Sequence, residues 1–348
     1  MDADRLLAAA VDAVPRAHYT DHPELGAPPQ TSPPKVVQRD LARAGAGLRG
    51  ARVLEIGTGT GYTGALLAQL VGPAGLVVSV DVDGRLVERA RRLHAERRCP
   101  VTVVCGDGHD GVPDHAPYDL VIGWCAPALL PDAWLKQTRP GGIVSTPVYV
   151  APAARAVGHV RAEVTGDGGL TGVRLATASY VDMGDAANVT LGAPLLHLDA
   201  TCGPSYVSVA WRGRAGGEPA AALALLDRPG HAEPHPVGLH GEQAAAAWHT
   251  RALRRRPRPR ARRGRVQHGA AARRRESASA SPAAGTPPWS PAPGAAGRHP
   301  GSAALAALRE HLRAWDAAGR PGLDRLAAEV TPADGGRRVQ VTLPPGAA

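Results

Sequence analysis

Apolar positions along this chain fall into two rhythms. Short unbroken runs, at Val53-Leu54 with Ile56, Leu76 to Val80, Val101 to Cys105 and Tyr118 to Trp124, have the length of strands buried on both faces. Between them, Ala65, Leu66, Leu67, Leu70 and Val71 recur at helical spacing, as do Leu86, Val87, Ala90, Leu93 and His94 over a helix at 84–98. His94 is expected at the margin of the core. Strand and helix in alternation predict an α/β fold around a parallel sheet with right-handed crossovers. Before it, a helix over 6–14 stops at Pro15, five prolines make 22–34 an extended connection, and a second helix resumes at Lys35. After it, a helix over 129–138 and a turn at Arg139-Pro140-Gly141-Gly142 lead into a strand over 143–150. Residues 158–164 and 170–183 then alternate like an antiparallel hairpin.

The first apolar run stops at three glycines two residues apart, Gly57-Thr58-Gly59-Thr60-Gly61, just before the first helix of the alternating part. Strand, tight turn and helix bring backbone close to a ligand and aim helix-terminal amides at it, which predicts a nucleoside ligand. A dinucleotide fingerprint is G-x-G-x-x-G, with the diphosphate on the helix end. Here the spacing differs, and Glu55 stands two residues ahead of the first glycine. An acid there is a poor neighbour for a diphosphate and a good one for a ligand that carries an ammonium and a sulfonium. The pattern E-x-G-x-G-x-G resembles the first motif of S-adenosyl-L-methionine (SAM)-dependent methyltransferases. Glu55, Gly57, Thr58, Gly59 and Gly61 are therefore the candidates for the methionine end of the cofactor. Asp81 closes the second strand, where doubly wound sheets hold ribose hydroxyls. Asp107, between Gly106 and Gly108 past the third strand, can accept from an adenine amino group; the same pattern suits a turn aspartate. Asp83 is either a further ligand contact or the N-cap of the next helix.

Composition changes this picture in three places. The chain has 348 residues and a net charge of +9, yet twelve arginines and no acid lie within residues 251–275, so the rest is slightly acidic. With two lysines, one asparagine and no phenylalanine the coding is strongly GC-biased, and arginine in place of lysine says little about function. A nucleic-acid arm would bring interleaved aromatics or a recognisable fold, and neither is visible, so nucleic acid is not the expected partner. No run of about 18 apolar residues occurs, and Asp2 and Asp4 stand where a secretory signal is basic; the chain reads as unexported, cytoplasmic and without a membrane partner. Cys99, Cys105, Cys125 and Cys202 lack C-x-x-C spacing, so they read as small buried side chains, with no metal site expected.

The organisation that follows is a domain over 1–183, an ordered extension over 184–248, a linker over 249–300 and a last part over 301–348. Within the extension, 206–211 reads as a strand and 220–226 as a helix or strand. In the linker, arginine, proline, serine and glycine dominate, which cannot offset ordering entropy by burial; it reads as disordered, or as a stretch out of frame in a GC-rich gene. In the last part Ser302 can cap a helix that carries Leu305, Leu308, Leu312 and Trp315 on one face and ends at Gly319, and 339–343 alternates as a strand.

Ordered motifs then point to one family. Val14-Pro15-Arg16, Thr31-Ser32-Pro33-Pro34, Val53 to Tyr62, Gly106-Asp107-Gly108, Ala116-Pro117-Tyr118-Asp119, Arg139-Pro140-Gly141-Gly142 with Thr146-Pro147-Val148, and Ala178-Ser179-Tyr180-Val181-Asp182 follow one another along the chain. Together they resemble the protein-L-isoaspartate (D-aspartate) O-methyltransferase family over residues 14–183. The resemblance implies a Rossmann-like SAM-dependent methyltransferase domain, followed here by an α+β extension that the Arg/Pro/Ala-rich linker interrupts. It also implies that Ser32 lines the site of the accepting carboxylate; locally, Ser32 suits equally well as the cap of the helix starting near Pro33. The implied substrate is a protein or peptide with an (iso)aspartyl residue. The N-terminal part is shorter than the family's usual one. The extension, whose ending from Trp315 to Pro332 resembles that of longer relatives, implies as an alternative a specific aspartate in a ribosomally made precursor peptide, whose ester cyclises to a succinimide. A non-catalytic SAM-fold or nucleic-acid-binding protein is the reading from another class.

Overall fold

The computed structural model describes residues 3–21, 32–45, 47–151, 156–178, 180–184 and 303–342, with short strands at 200–202, 205–207, 231–233 and 295–297. Expectations for 185–199, for most of 208–294 and for the Ser302 cap lie outside the described residues. Within the linker, Ala295–Gly297 is an exception to expected disorder, since it pairs antiparallel with His231–Glu233.

Helices α1 (Ala3–Ala13), α2 (Arg16–Thr20) and α3 (Pro34–Ala44) precede strand β1 (Arg52–Ile56). Helix α4 (Tyr62–Val71), β2 (Leu76–Asp81), α5 (Gly84–Glu96), β3 (Val101–Cys105) and β4 (Tyr118–Gly123) follow. Short strands β5 (Cys125–Ala126) and β6 (Leu130–Pro131) lead into α6 (Asp132–Gln137), then come β7 (Thr138–Tyr149), β8 (Val157–Val164), β9 (Leu170–Thr177) and β10 (Val181–Asp182). The sheet order is β3-β2-β1-β4-β7-β8-β9. Strands β3 to β7 pair parallel, and β7, β8 and β9 antiparallel. From β1 the chain steps outward to β2 and β3, then returns to lay β4 on the other side of β1. That reversal makes a crevice at the carboxyl ends of β1 and β4, where open α/β sheets hold ligands.

Several predicted boundaries move. The helix expected over 129–138 shrinks to α6, because Leu130–Pro131 is taken up as a strand and Pro131 is the helix N-cap. The expected turn at 139–142 lies inside β7: Tyr118 pairs Thr138 and Leu120 pairs Ile143, so Pro140 and left-handed Gly141 form an irregularity in a continuous strand. The hairpin ends at Thr177, and Val181–Asp182 leaves it to pair parallel with β5.

One core cluster packs Val37 and Leu41 of α3 and Leu66, Leu67 and Leu70 of α4 against Val53, Val77, Leu120 and Ile122. Every residue of β1 from Val53 to Ile56 is buried, as a sheet covered on both faces requires. Cys105 is exposed, and Cys99 and Cys125 are partly buried, so the thiols are less buried than their composition suggested.

His94 is 2% exposed rather than marginal, and neither ring nitrogen has a hydrogen-bond partner among the described residues. Burial, with His18 nearby, lowers its pKa to about 4, and burial brings His159 down to about 4 as well. Both therefore bind protons more weakly folded than unfolded. Their contribution to stability is intact above about pH 6.5 and is lost as pH falls towards 4. The urea midpoint is expected to drop between pH 6.5 and pH 4; an unchanged midpoint would count against neutral buried rings.

Two compact units emerge: Met1–Tyr149 with Val157–Ala193 and Val330–Val339, and the remainder of the chain. In the first, a late segment returns to the methyltransferase-like domain: Gly336 and Arg337 pair with Pro131 and Leu130, and Arg337 Nε donates to Asp132 at 2.8 Å. In the second, α7 (Ala303–Ala317) ends as predicted at Gly319, with φ 75°. Arg320 N–H bonds Trp315 O and Gly319 N–H bonds Asp316 O, both at 2.9 Å, which closes the helix with a left-handed cap.

Candidate active site

After Ile56 the backbone enters the left-handed region at Gly57, Gly59 and Gly61, with φ of 90°, 52° and 86°. Side chains adopt that region only at a cost, so glycine at these points lets β1 turn into α4 within five residues. A Cβ added to Gly59 would meet nothing within 4 Å, which leaves the turn open on that side. Gly57 N–H donates to Val80 O at 2.8 Å, Thr58 N–H to Val80 O at 3.3 Å and Gly61 N–H to Thr58 O at 2.9 Å. Sequence reasoning aims such amides at a ligand. Here the first two hold the turn against β2 and the third closes the turn on itself, and what the glycines offer is close approach.

Glu55 lies 0% exposed behind that turn. Its Oε2 accepts from Ser79 Oγ at 2.6 Å and its Oε1 from Trp124 Nε1 at 2.8 Å. Ser79 Oγ also lies 2.6 Å from Thr58 Oγ1, so strand, turn and acid form one network. No cation pairs with Glu55 among the described residues. Burial pushes its carboxyl up to about 7, against the hydrogen bonds from Ser79, Thr63 and Trp124, which pull it down. A buried carboxyl without a counter-cation beside an open turn is a place that a cationic ligand would complete.

Asp81 stands at the rim. Its Oδ2 accepts from Gly59 N–H at 2.9 Å and its Oδ1 from Asp83 N–H at 3.0 Å, and burial raises its carboxyl above the ordinary range. Asp83 takes the N-cap role expected of it on α5, accepting from Arg85 N–H at 2.9 Å and pairing with its guanidinium at 2.7 Å. Partial burial raises the Asp107 carboxyl, but hydrogen bonds from His109 N–H at 2.9 Å and Nδ1 at 2.8 Å outweigh it and leave the group lowered. Gly108 next to it has no room for a side chain: a Cβ would come within 2.7 Å of Met183 Cε and 2.8 Å of Ile56 Cγ2. Burial first, then the nearby charges of Asp81 and Asp107, push the Cys125 thiol up to about 12, which makes it a poor nucleophile beside the two acids.

Ser32 is not part of this network. It precedes Pro33, the N-cap of α3, which has no side-chain cap. The backbone oxygen of Ser32 accepts from Arg16 Nη2 at 3.4 Å, and the Arg16 guanidinium lies 5.8 Å over the ring of Tyr62, the first residue of α4. Thus Glu55, Thr58, Gly59 and Asp81 come together in one unit, and Arg16 links Ser32 to Tyr62 of α4. Ser79, Trp124 and Trp134 are contributors that motif reading missed. Ser79 left one signal, a lone hydroxyl in the apolar run of β2.

The family model described as protein-L-isoaspartate(D-aspartate) O-methyltransferase (PCMT) matches residues 5–188, more than half the chain. The chain belongs to this family. Among its relatives, the protein-L-isoaspartate O-methyltransferase of Ignicoccus hospitalis is 44% identical over 136 residues, which cover 38% of this chain and 64% of the relative. That of Thermotoga maritima is 43% identical over 102 residues, covering 29% of this chain and 32% of the relative. A solved protein-L-isoaspartate O-methyltransferase structure matches with TM-score 0.46 and 26% identity, over 52% of this chain and 62% of that one. The chain thus spans less than two thirds of the relatives it matches. The match runs five residues past 183, into the expected extension, and ends at residue 188. None of the helices among the described residues is long and apolar enough to cross a membrane.

Proposed function

We propose that the protein is a SAM-dependent carboxyl O-methyltransferase acting on an (iso)aspartyl side chain of a protein or peptide. The observation that carries this is Glu55, a fully buried acid with no cationic partner among the described residues, joined through Ser79 and Thr58 to the turn that is open at Gly59. SAM supplies an activated methyl group and two positive charges. The residues at the turn suit it: Glu55 and the Gly57-Thr58-Gly59-Thr60-Gly61 turn would take the methionine end, Asp81 the ribose hydroxyls, and Asp107 with Gly108 the adenine. Ser32 holds the accepting carboxylate by its hydroxyl or a neighbouring amide.

Methyl transfer from sulfonium to carboxylate removes charge from both reactants. Water stabilises the separated charges more than the charge-poorer transition state, so residues that close the crevice to water lower the barrier. A substrate carboxylate, with an ordinary pKa of about 4, is already ionised near pH 7. No general base is needed. Alignment of the bound reactants is then the chief contribution, on the order of 7 kcal/mol or more.

The extension favours a second reading, because the chain continues far beyond the family match at residue 188. A dedicated recognition part suits one precursor peptide better than many damaged proteins. Incubation with methyl-labelled SAM, an isoaspartyl peptide and any precursor peptide encoded nearby separates the two. Base-labile label on the isoaspartyl peptide is expected for a repair-type enzyme and on the precursor alone for a maturation enzyme. Label on neither would overturn both.

A further inference from the structure

The stretch from Tyr180 to Met183 lies against Gly108 and β5, and four separate elements meet it. Val181 and Asp182 pair with Cys125 and Ala126, Met183 N–H donates to Ala126 O at 2.9 Å, and Met183 Cε is the neighbour that crowds Gly108. Tyr149 donates its hydroxyl to Asp182 at 2.5 Å. The fourth contact differs in kind. Tyr180 donates its hydroxyl to Asp40 Oδ2 at 2.5 Å, and Asp40 is 1% exposed on α3, the helix that starts two residues after Ser32. Arg43 Nη1 and Arg39 Nε hold the other oxygen of Asp40 at 2.8 and 3.0 Å. On its opposite side the Tyr180 ring lies 6.2 Å from that of Trp124, the residue whose indole N–H is donated to Glu55.

We propose that Tyr180 is a positioning residue: its hydroxyl on Asp40 and its ring beside Trp124 hold the Ser32 helix in register with the Glu55 wall of the cofactor turn. It acts through α3 and Trp124. Arg16, bonded to the Ser32 carbonyl, restrains the same segment from the other side. A methyl transfer that depends on alignment loses much of its rate when two bound groups shift by about 1 Å. Binding of the donor alone needs only the Glu55 side of the latch. The phenol stays protonated throughout the working pH range, because burial and Asp40 both raise its pKa, so the donor is always available.

The inference rests on the methyltransferase reading, and its test separates the two. In the full-length chain, Tyr180→Phe keeps the ring and removes the hydroxyl. Affinity for S-adenosylhomocysteine is expected to stay within about twofold, while kcat/KM for the peptide that the unmodified chain methylates falls about tenfold or more. Tyr180→Ala, which also removes the ring beside Trp124, is expected to weaken S-adenosylhomocysteine as well. A merely structural hydroxyl would lower thermal stability and leave kcat/KM per folded molecule unchanged; that result, or equal losses of affinity and rate in Tyr180→Phe, overturns the proposal alone. If the unmodified chain methylates no carboxyl peptide, the functional reading falls and this inference with it.

Discussion

Replacing Glu55 with glutamine is expected to make the protein more stable and the cofactor weaker. The folded carboxyl titrates at about 7 instead of the ordinary 4.5, so between those values the native state holds a proton that the unfolded chain has released. Stability contributed by that proton is present at low pH and is lost as pH rises from 4.5 to 7. Above 7 the cost is about 3 kcal/mol. Glutamine can turn its amide oxygen to Trp124 and its amide nitrogen to Ser79, whose hydroxyl can then donate to Thr58. The network survives and the buried charge disappears. Urea unfolding at pH 8 should therefore favour Glu55→Gln, and the advantage should vanish near pH 4.5. Affinity for SAM should fall at least tenfold, about 1.4 kcal/mol, since the ligand's cation loses its counter-charge. In the unmodified protein the same affinity should weaken as pH falls below 7, because a proton must leave Glu55 before the cation is matched. A variant that is less stable at pH 8 and binds SAM as before would refute this role.

The second large effect is expected at Trp134. It is 0% exposed on α6, and its indole N–H donates to Gly108 O at 2.7 Å. Gln137 of the same helix accepts from Val112 N–H at 2.9 Å and donates to Asp110 O at 2.7 Å, so α6 grips the loop that carries Asp107 at three points. Trp134→Ala leaves a large cavity and an unpaired carbonyl and should cost about 3–5 kcal/mol, or roughly 10 °C in Tm for a domain of this size. Trp134→Phe keeps most of the packing; it should cost about 1 kcal/mol and weaken SAM several-fold through a looser Asp107 loop. An alanine variant with unchanged Tm would mean that α6 does not anchor that loop.

These two sites differ in how far the sequence discloses them. The Glu55 and glycine pattern is local, so strand, turn and helix follow from thirteen consecutive residues, and the acids after β2 and β3 follow from the rules of open sheets. The partners that give these residues their properties are distant: Trp124 reaches Glu55 across 69 residues and Tyr180 reaches Asp40 across 140. No periodicity encodes such pairs. Short strands such as β5 and β6 escaped notice, and β10 was assigned to the hairpin, for the same reason, since a two-residue strand exists only through its neighbour. His94 sits where helical spacing puts it, but spacing alone cannot tell a ring at the core's edge from one sealed inside without a partner. The arginine run, which sets the sign of the overall charge, lies outside the described residues.

The central claim is that the open turn at Gly59, backed by a buried acid with no cationic partner among the described residues, receives a positively charged methyl donor. Isothermal calorimetry at pH 8 with SAM, S-adenosylhomocysteine, a nicotinamide dinucleotide and a flavin nucleotide tests it most directly. The account predicts saturable one-to-one binding of SAM and S-adenosylhomocysteine, with SAM lost preferentially in Glu55→Gln, and no heat from the other two. Binding of either dinucleotide-type ligand, with none of the methyl donor, would contradict it.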